Sequence, residues 1–404
     1  MINRPHNIPS FTYDIQEEML EIIPKNEELL IGIPKDYSFQ ENRVPLTPEA
    51  VSVLIQNGHQ VIIEHNAGEN ASYYDIEYSN VGALIVYDKE SLYKRAHLII
   101  KSSPISPEEI DLLKPHHTII SPVHIPFLKK DMVDSLMKKR ITALTFDSIK
   151  DDSGIYPIVR AMSEIAGSSA ILTAARYLSN LDLGKGILLG GISGVPPAQV
   201  VILGAGVVGE MATRTAIGLG ASVKIYDNSV YRLMRLQNNI GMRCHTSVIE
   251  PNRLLEDLKT ANVAVGALKP VDGLTPVVVT EDMVSQMKAG SVIVDVSIDR
   301  GGVFETSRAT THENPIYKKH DVIHYCVPNI PSGVAKTASQ AISNILMPML
   351  IEAGESGGIE MMINKKSGIR SGVYLYKGCV TSLAIARRFD IKFTNLELLL
   401  DNPH

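Results

Sequence analysis

The sequence lacks the features of membrane-spanning and disulfide-stabilised proteins. Nowhere in its 404 residues does an uncharged apolar stretch approach the length of about 18 residues that a transmembrane helix needs. The N-terminal segment scatters charges and prolines among its apolar residues, which does not predict a signal peptide. Cys244, Cys326 and Cys379 are far apart and form neither a CxxC pair nor a zinc-ligand spacing. We therefore expect a soluble, cytoplasmic protein without a metal site.

An excess of positive charge is also absent. Lysine and arginine number 39 against 44 aspartates and glutamates, a formal net charge of −5. No basic run is interleaved with aromatic residues, so neither a nucleic-acid nor a membrane partner is expected. Hydrophobic residues make up 45% and charged residues 21% of the chain, which is ordinary for globular proteins. A chain of this length predicts two domains.

The most informative segment runs from Val200 to Asp227 and reads VVILGAGVVGEMATRTAIGLGASVKIYD. An apolar strand enters a glycine turn, a helix follows, and a second apolar strand ends at an acid. Gly204 permits the tight turn, Gly206 lets the backbone approach a pyrophosphate, and Gly209 lets the helix pack closely on its strand. Asp227 can accept hydrogen bonds from ribose hydroxyls. The order of these parts predicts a dinucleotide site.

The residues after Asp227 favour NAD over NADP as the cofactor. Asn228 and Ser229 offer no positive charge to a 2′-phosphate, although Arg232 lies close by in sequence. The free N–H groups at the start of the helix face the phosphates. From this motif we predict cofactor contacts at Gly204, Ala205, Gly206, Val207, Val208, Gly209, Asp227 and Arg232.

Strand and helix patterns alternate along most of the chain, which predicts mostly parallel sheets covered by helices. The predicted strands are Leu29–Ile33, Gln60–Glu64, Ala83–Val86, His97–Lys101, Thr118–Val123, Ile141–Asp147, Val200–Leu203, Ala221–Tyr226, Asn262–Gly266, Ser291–Ile298 and His320–Val327. Two long helical patterns, about Pro157–Ser179 and Thr337–Ala353, bracket the glycine motif. We expect two Rossmann-like α/β domains, with a nucleotide domain (residues 158–335) inserted into a discontinuous substrate domain (residues 1–157 and 336–404).

Several polar residues stand where strands are predicted to end, and ligands of open parallel sheets bind beyond those ends. They are Arg43, Lys101, His124, Asp147, Asp299 and Asn329. The two cations suit a carboxylate substrate, which an arginine can bind through two parallel hydrogen bonds. A histidine can move a proton near neutral pH, and an aspartate can orient it or bind an ammonium group.

Each of these residues also has an ordinary explanation. Arg43, next to Glu41, is also typical of a solvated surface charge. The stem of Lys101 can cover the sheet edge while its ammonium reaches water, and Asp299 can cap the turn into two following glycines. His124 can be an ordinary loop residue. Spacing alone therefore leaves the catalytic assignment open.

Five segments of the chain resemble alanine dehydrogenases, within the wider family that includes the α-subunits of pyridine nucleotide transhydrogenases. They are GIPKDYSFQENRVPLTPEAV, RAMSEIAGSSA, VVILGAGVVGEMA, GSVIVDVSIDRGGVFETSRATTH and HYCVPNIPSGVAKTASQAISN. The resemblance extends from about Leu30 to near Leu400. It implies a reversible, NAD-dependent oxidative deamination of L-alanine to pyruvate and ammonia, carried out by a homo-oligomer that is commonly a hexamer.

The resemblance also implies roles for individual residues. Arg43 and Lys101 match the family's binders of the substrate carboxylate and carbonyl oxygen, and Asn329 is placed with them. His124 matches the general acid and base, and Asp299 the catalytic aspartate. Further cofactor contacts implied in this way are Ser163, Ala267 and Leu268.

The chain departs from the family pattern at several places near these residues. Ser102-Ser103-Pro104 stands where the family usually has a second lysine and a glutamate, and Arg300 stands where it usually has glutamine. Ser121 and Pro122 also differ, the loop GALKPVDGLTP is unusual, and FDSIK is more similar to the transhydrogenase sequences. Three alternatives follow: a transhydrogenase-type subunit, a dehydrogenase for a larger 2-oxo acid, and a non-catalytic NAD-binding protein.

Overall fold

The structure is a computed structural model whose strands form two sheets. It describes residues 26–38, 40–125, 128–180, 183–269 and 273–400. The first sheet has eight strands and the second has seven, and helices cover both sheets. This arrangement confirms the predicted α/β class.

The first sheet is built from the beginning and the end of the described chain. Its strands are β1 (Leu30–Ile33), β2 (Gln60–Glu64), β3 (Leu84–Val86), β4 (Leu98–Ile100), β5 (Thr118–Ile120), β6 (Thr142–Leu144), β14 (Val373–Tyr376) and β15 (Cys379–Val380). They follow the order β15-β14-β6-β5-β4-β1-β2-β3. Strands β1 to β6 are parallel, whereas β14 and β15 run antiparallel to their neighbours.

The second sheet comes from the middle of the chain. Its strands are β7 (Gln199–Leu203), β8 (Ser222–Tyr226), β9 (His245–Ser247), β10 (Val263–Gly266), β11 (Val292–Asp295), β12 (Ile316–Lys319) and β13 (Val322–Tyr325). They follow the order β12-β13-β11-β10-β7-β8-β9, and β12 is the antiparallel edge strand.

The parallel parts of the two sheets have the same doubly wound order. In the first sheet β1 lies between β2 and β4, and in the second β7 lies between β8 and β10. The strand order therefore reverses direction beside β1 and beside β7, and such reversal points are where open α/β sheets bind ligands. The predicted Rossmann-like architecture is confirmed in both sheets.

Helices follow most of the parallel strands. They are α1 (Pro48–Gln56), α2 (Asp75–Asn80), α3 (Lys89–Arg95), α4 (Pro107–Leu112), α5 (Lys130–Lys138), α6 (Pro157–Leu178), α7 (Val207–Gly218), α8 (Val230–Ile240), α9 (Pro251–Thr260), α10 (Glu281–Ser285), α11 (Ala335–Ser356), α12 (Ile359–Lys365), α13 (Ser367–Arg370), α14 (Leu383–Phe389) and α15 (Leu396–Leu400). In the described part of the chain, none of them combines the length and the low polarity needed to cross a bilayer.

Each sheet is buried on both faces, which explains why its strands are continuously apolar. Along β7, Val200 and Ile202 pack into one cluster and Val201 and Leu203 into another, because successive side chains of a strand point to opposite faces. The first sheet has the same two-sided burial.

Some predicted strands are longer than the observed ones. The predicted strand Thr118–Val123 ends at Ile120, shortly before Pro122, which has no N–H to donate to a ladder. Two other predicted strands are each a short strand followed by a 3-10 turn, namely Ile141–Asp147 and Ser291–Ile298. The apolar residues in these turns are buried without being part of the sheet.

The C-terminal segment contains more structure than the predicted long helix. After α11 the chain forms four further helices and returns to the first sheet with β14 and β15. Val373 and Leu375 pair with β6 in antiparallel register. Residues before 145 and after 372 therefore share one sheet.

Helices α6 and α7 pack closely, and a glycine allows their approach. A Cβ atom added to Gly167 of α6 would lie 2.3 Å from the carbonyl oxygen of Val208 and 2.9 Å from Cβ of Met211. Both distances are shorter than van der Waals contact, so the larger side chain would push the helices apart.

We expect Gly167→Ala to lower the free energy of unfolding by about 1–3 kcal/mol, the usual cost of overpacking a close contact. Thermal unfolding of the variant measures the effect. Gly218→Ala is the matched control, because a Cβ added at the end of α7 meets no atom within 4 Å. Equal midpoints for Gly167→Ala and the unchanged protein would contradict this account of the helix contact.

Candidate active site

Two of the three motif glycines are required by the packing of the turn after β7. Gly204 has a φ of 120°, and an added Cβ would lie 2.2 Å from the carbonyl oxygen of Ala267. Ala267 directly follows β10, so the turn after β7 packs against the loop after β10 at the point where the strand order of the second sheet reverses. An added Cβ on Gly209 would lie 1.8 Å from the carbonyl oxygen of Gly204. Larger residues at either position would open the turn.

Gly206 differs because the space beside it is open. An added Cβ would meet no atom within 4 Å, and no side chain caps the helix that begins at Val207. The N–H groups of the first helical turn, which includes Val207 and Val208, need an acceptor, and a phosphate group supplies one. The turn Gly204–Gly206 and the start of α7, together called the glycine cradle below, therefore fit the pyrophosphate of a dinucleotide.

Asp227 ties the end of β8 to the glycine turn. Its carboxylate accepts a hydrogen bond from the backbone N–H of Ala205 at 2.8 Å and another from Ser229 at 2.7 Å. The guanidinium of Arg232 lies 3.8 Å from the same carboxylate. The carboxylate is buried beside the turn, where it can face the ribose of a bound dinucleotide.

Arg235, one helical turn after Arg232, makes a further contact with the glycine turn that no sequence pattern predicted. Its guanidinium donates to the carbonyl oxygen of Ala205 at 3.3 Å, and its buried Nε has no partner among the described residues. No local motif marked this residue, because its contact depends on how α8 packs against the turn.

The predicted site residues of the first sheet lie in loops that follow the carboxyl ends of its parallel strands. Arg43 lies in the loop after β1, and Lys101 directly follows β4, so the two flank the reversal point of that sheet. His124 lies in the loop after β5 and is exposed, and Asp147 lies in the 3-10 turn after β6.

Glu41 holds Arg43 in place. Its carboxylate accepts hydrogen bonds from Nε of Arg43 at 2.6 Å and from a terminal nitrogen at 2.5 Å. Arg43 is 10% exposed and Glu41 is 4% exposed, so the alternative of a solvated surface charge is wrong. Burial alone would lower the pKa of Arg43, but the neighbouring carboxylate raises it and keeps the guanidinium charged.

Glu41 also connects the two sheets. The side-chain amide of Asn329, which follows β13 of the second sheet, donates to the Glu41 carboxylate at 3.1 Å and to the carbonyl oxygen of Gln40 at 3.2 Å. The other terminal nitrogen of Arg43 contacts the sulfur of Met162 on α6 at 3.3 Å. Ser163, the next residue on α6, is half-buried. The edges of the two sheets therefore face each other at this point.

Three buried serines fix the loop that carries Arg43. The hydroxyls of Ser332, Ser339 and Ser343 accept hydrogen bonds of 2.8, 2.9 and 3.0 Å from backbone N–H groups of this loop. The donors belong to Asn42, Val44 and Thr47. Ser339 and Ser343 share one face of α11 because they are four residues apart.

Lys101 lies in a buried cluster of charges. Its ammonium donates to Asp36 at 2.9 Å and to Glu109 at 2.8 Å, and Lys89 binds the same carboxylate of Glu109 at 3.0 Å. Burial would lower the pKa of Lys101, but the two carboxylates raise it above its ordinary value. Two of its three N–H donors are thereby occupied.

Asp299 lies in a loop that a different aspartate organises. Asp295, at the end of β11, accepts hydrogen bonds from the backbone N–H groups of Ser297 at 3.1 Å and Val303 at 2.7 Å. The Ser297 hydroxyl donates to the carbonyl oxygen of Leu268 at 3.0 Å, which joins this loop to the one after β10. Asp295 thus has the turn-capping role suggested for Asp299, whose carboxylate accepts no hydrogen bond from the described residues.

Electrostatic interactions link His124 with Asp147, on the first sheet, and with Asp299, on the second. Burial raises the pKa of Asp147, and the charges of His124, Arg43 and Arg300 lower it in part. Burial likewise raises the pKa of Asp299, and His124, Arg300 and Arg43 oppose that rise. Asp299 is accessible to solvent although much protein surrounds it, as expected for a residue in a cleft.

The comparisons with known proteins agree over nearly the whole chain. A family model described as the N-terminal domain of alanine dehydrogenase/PNT matches residues 32–166, and the model of the C-terminal domain matches residues 170–383. The chain is 36% identical over 374 residues to the alanine dehydrogenase of Methanococcus maripaludis, covering 92% of this chain and 100% of that one. It is 35% identical to the alanine dehydrogenase of Mycolicibacterium smegmatis, covering 91% and 98%.

Solved structures of related proteins have the same fold as this chain. A structure of L-alanine dehydrogenase superposes with a TM-score of 0.84 at 33% identity, covering 89% of this chain and 99% of that one. A transhydrogenase from Sinorhizobium meliloti superposes with a TM-score of 0.74 at 22% identity, covering 88% and 99%. The second likeness concerns the fold alone.

We expect Gly206→Ala to abolish dinucleotide binding without changing stability, because its Cβ would fill the space where the phosphates approach and touches no protein atom. Titration of NADH by fluorescence and thermal unfolding measure the two effects. Gly209→Ala is the contrasting variant, since its Cβ collides with the turn, and it should lower the unfolding midpoint. Normal NADH affinity in Gly206→Ala would contradict the assignment of the cradle.

We expect Lys101→Met to destabilise the protein by about 3–5 kcal/mol, the usual cost of leaving buried charges without their partner. Asp36 and Glu109 would lose their shared cation. Chemical denaturation measures the change. Lys94→Met is the control, because Lys94 lies exposed at the end of α3. A stability loss no larger than that of the control would contradict the structural role of the cluster.

Proposed function

The chain belongs to the alanine dehydrogenase and pyridine nucleotide transhydrogenase family, and we propose that it catalyses the reversible, NAD-dependent oxidative deamination of L-alanine to pyruvate and ammonia. The observation that carries this proposal is the contact of Glu41 and Arg43 with Asn329 and Met162, which sets the edge of the first sheet against the second, where the charge of His124 also acts on Asp299. A dehydrogenase needs a proton-transferring group and charged substrate contacts next to its dinucleotide cradle. The cleft supplies all of these.

The residues of the cleft have complementary roles in this proposal. Arg43 and Asn329, joined by Glu41, hold the carboxylate end of the substrate, and Lys101 directs its remaining N–H donor at the carbonyl oxygen. Asp299 binds the ammonium group of L-alanine. Bound NAD supplies the hydride acceptor. Loss of hydride from the α-carbon to that acceptor, and of a proton from nitrogen to solvent, leaves an iminium group on the substrate.

His124 then acts on water. As the water oxygen bonds to the iminium carbon, the imidazole takes a proton from the water. The same proton returns to the nitrogen, and as ammonia leaves, the imidazole takes the remaining hydroxyl proton, so that the carbonyl of pyruvate forms. In the reverse direction the steps and proton transfers are reversed.

We propose NAD rather than NADP as the cofactor, and Gly204, Ala205, Gly206, Val207, Val208, Gly209, Asp227, Arg232, Ala267, Leu268 and Ser163 as the residues around it. The buried carboxylate of Asp227 supports this choice, because it would repel a 2′-phosphate. The ion pair with Arg232 leaves that arginine only partly available to such a phosphate.

We propose that residues 158–335 form the nucleotide domain, inserted between the two parts of the substrate domain, 1–157 and 336–404. The sharing of one sheet by β6 and β14 supports this division. We also propose a cytoplasmic homo-oligomer, a hexamer by analogy with the family. The three cysteines, all unpaired, support a reducing compartment.

The direct test is the oxidation of NADH with pyruvate, with and without ammonium, followed by NADPH in place of NADH. We expect oxidation that requires ammonium and prefers NADH. Oxidation without ammonium would indicate a hydroxy-acid dehydrogenase. Tight NADH binding without any oxidation would refute the proposal and favour a non-catalytic or transhydrogenase-type protein.

We expect His124→Asn to lower kcat by about 10²- to 10⁴-fold while NADH affinity stays unchanged, because general acid–base catalysis contributes that range. Steady-state kinetics and NADH titration measure the two quantities. His116→Asn is the matched control, since His116 is exposed and precedes β5, whereas His124 follows it. If both variants kept full activity, His124 would have no part in the mechanism.

A further inference from the structure

Arg235 of α8 and Asp227 at the end of β8 both bond to the backbone of Ala205, the middle residue of the glycine turn. The Asp227 carboxylate accepts a hydrogen bond from the N–H of Ala205 at 2.8 Å, and the Arg235 guanidinium donates one to its carbonyl oxygen at 3.3 Å. Ala205 is completely buried and packs in the same apolar cluster as Leu233 and Leu236 of α8. Two side chains of opposite charge therefore fix both polar backbone groups of one residue.

Helix α8 is fixed at both ends, so it presents the guanidinium in one place. At its start, the Ser229 hydroxyl accepts a hydrogen bond from the backbone N–H of Arg232 at 3.3 Å. Near its end, the side-chain amide of Gln237 donates to the Thr246 hydroxyl of β9 at 2.8 Å. The Nε of Arg235 is buried, so the inner edge of its guanidinium lies against the protein.

The bond from Arg235 determines where the N–H of Gly206 points. The peptide unit between Ala205 and Gly206 is planar and trans, so its C=O and its N–H point in opposite directions. Because the C=O is turned toward Arg235, the N–H points away from it. Within the part of the chain that the structure describes, this N–H has no acceptor, and the space beside Gly206 is open. The N–H is therefore a donor that a ligand can use.

The charge of Arg235 also strengthens this donor. Hydrogen bonds from a cation are stronger than neutral ones, and successive hydrogen bonds polarise one another. A guanidinium bonded to the Ala205 carbonyl draws electrons from the peptide and makes the Gly206 N–H a better donor to an anion. Arg232 is paired with the Asp227 carboxylate, whereas Arg235 forms no ion pair with a carboxylate of the described residues.

We propose that Arg235 is a positioning residue for the dinucleotide, acting through the peptide between Ala205 and Gly206 to aim the Gly206 N–H at the pyrophosphate. The inference rests on the dinucleotide site of the proposed function. A donor that is held in place before the phosphates arrive costs no reorganisation when they bind. Without Arg235 the Ala205 carbonyl would lose its partner, and the peptide could rotate so that its oxygen repelled the phosphates.

The test compares the dissociation constants of NADH, ADP and adenosine in Arg235→Met, which keeps a long side chain and removes the donor. ADP carries a pyrophosphate group and adenosine carries none. Titration of NADH fluorescence gives the first constant, and displacement of NADH gives the other two. We expect NADH and ADP to bind about 10-fold more weakly, the effect of weakening one hydrogen bond to a charged group. Adenosine affinity and the unfolding midpoint should stay unchanged.

Three further variants separate positioning from other effects. Arg235→Lys keeps the charge without the planar donor, and its ADP affinity should lie between those of the unchanged protein and Arg235→Met. Asp227→Ala is the contrasting variant, because Asp227 is proposed to bind the ribose, and it should weaken ADP and adenosine alike. Arg243→Met is the matched control, since Arg243 is exposed beyond the end of α8, and it should bind all three ligands normally.

Equal losses of ADP and adenosine affinity in Arg235→Met would overturn the inference, because Arg235 would then stabilise the domain as a whole. Constants for NADH and ADP equal to those of Arg243→Met would overturn it as well. Failure of the unchanged protein to bind NADH would refute the proposed function and this inference together. If the unchanged protein oxidised NADH with pyruvate and ammonium while Arg235→Met kept full affinity, the inference alone would fail.

Discussion

The carboxylate of Glu41 is the contact on which the geometry of the cleft depends. It binds Arg43, in the loop after β1, and Asn329, in the loop after β13, so one buried group joins the edges of both sheets. A buried carboxylate is stable only when its oxygens are paired. Glu41 and Arg43 lie in the same loop, so displacement of the loop that carries Asn329 would leave their ion pair intact but would remove the acceptor of the Asn329 amide.

The parallel parts of the two sheets have the same strand order, and this shared order positions the residues that bind the nucleotide and the substrate. Each sheet has a reversal point at the carboxyl ends of its parallel strands, beside β1 in one and beside β7 in the other. The glycine cradle occupies the second point, and Arg43 and Lys101 flank the first. Loops from both edges meet where Asn329 bonds to Glu41, and the charge of His124 acts on Asp299 across the two sheets. A nucleotide and a small charged substrate can therefore be held side by side.

The sequence allowed the local features to be predicted, because their physical causes are local. Gly204, Gly206 and Gly209 are spaced for a turn and a helix start, and the structure shows why two of them tolerate no Cβ. The apolar runs likewise marked most strands. The strand ends were less accurate, since a buried 3-10 turn and a strand can share the same apolar composition.

Contacts between distant residues could not be predicted from the sequence. Glu41 and Asn329 are 288 residues apart, and nothing in the sequence around Glu41 distinguishes it from a surface glutamate. The serines of α11 bond to a loop almost 300 residues earlier in the chain, and a serine pattern is also typical of ordinary helices. Asp299 is nearer than Asp295 to Gly301 and Gly302 in the sequence, so only the folded loop shows that Asp295 is the cap and that Asp299 remains exposed.

The central claim is that hydride passes from the α-carbon of an amino acid to a dinucleotide within this cleft. The most direct measurement is incubation of the protein with L-alanine deuterated at the α-carbon and NAD, followed by NMR of the isolated NADH. The account predicts deuterium at C4 of the nicotinamide, in an amount equal to the pyruvate formed. Pyruvate formed with unlabelled NADH would contradict direct transfer.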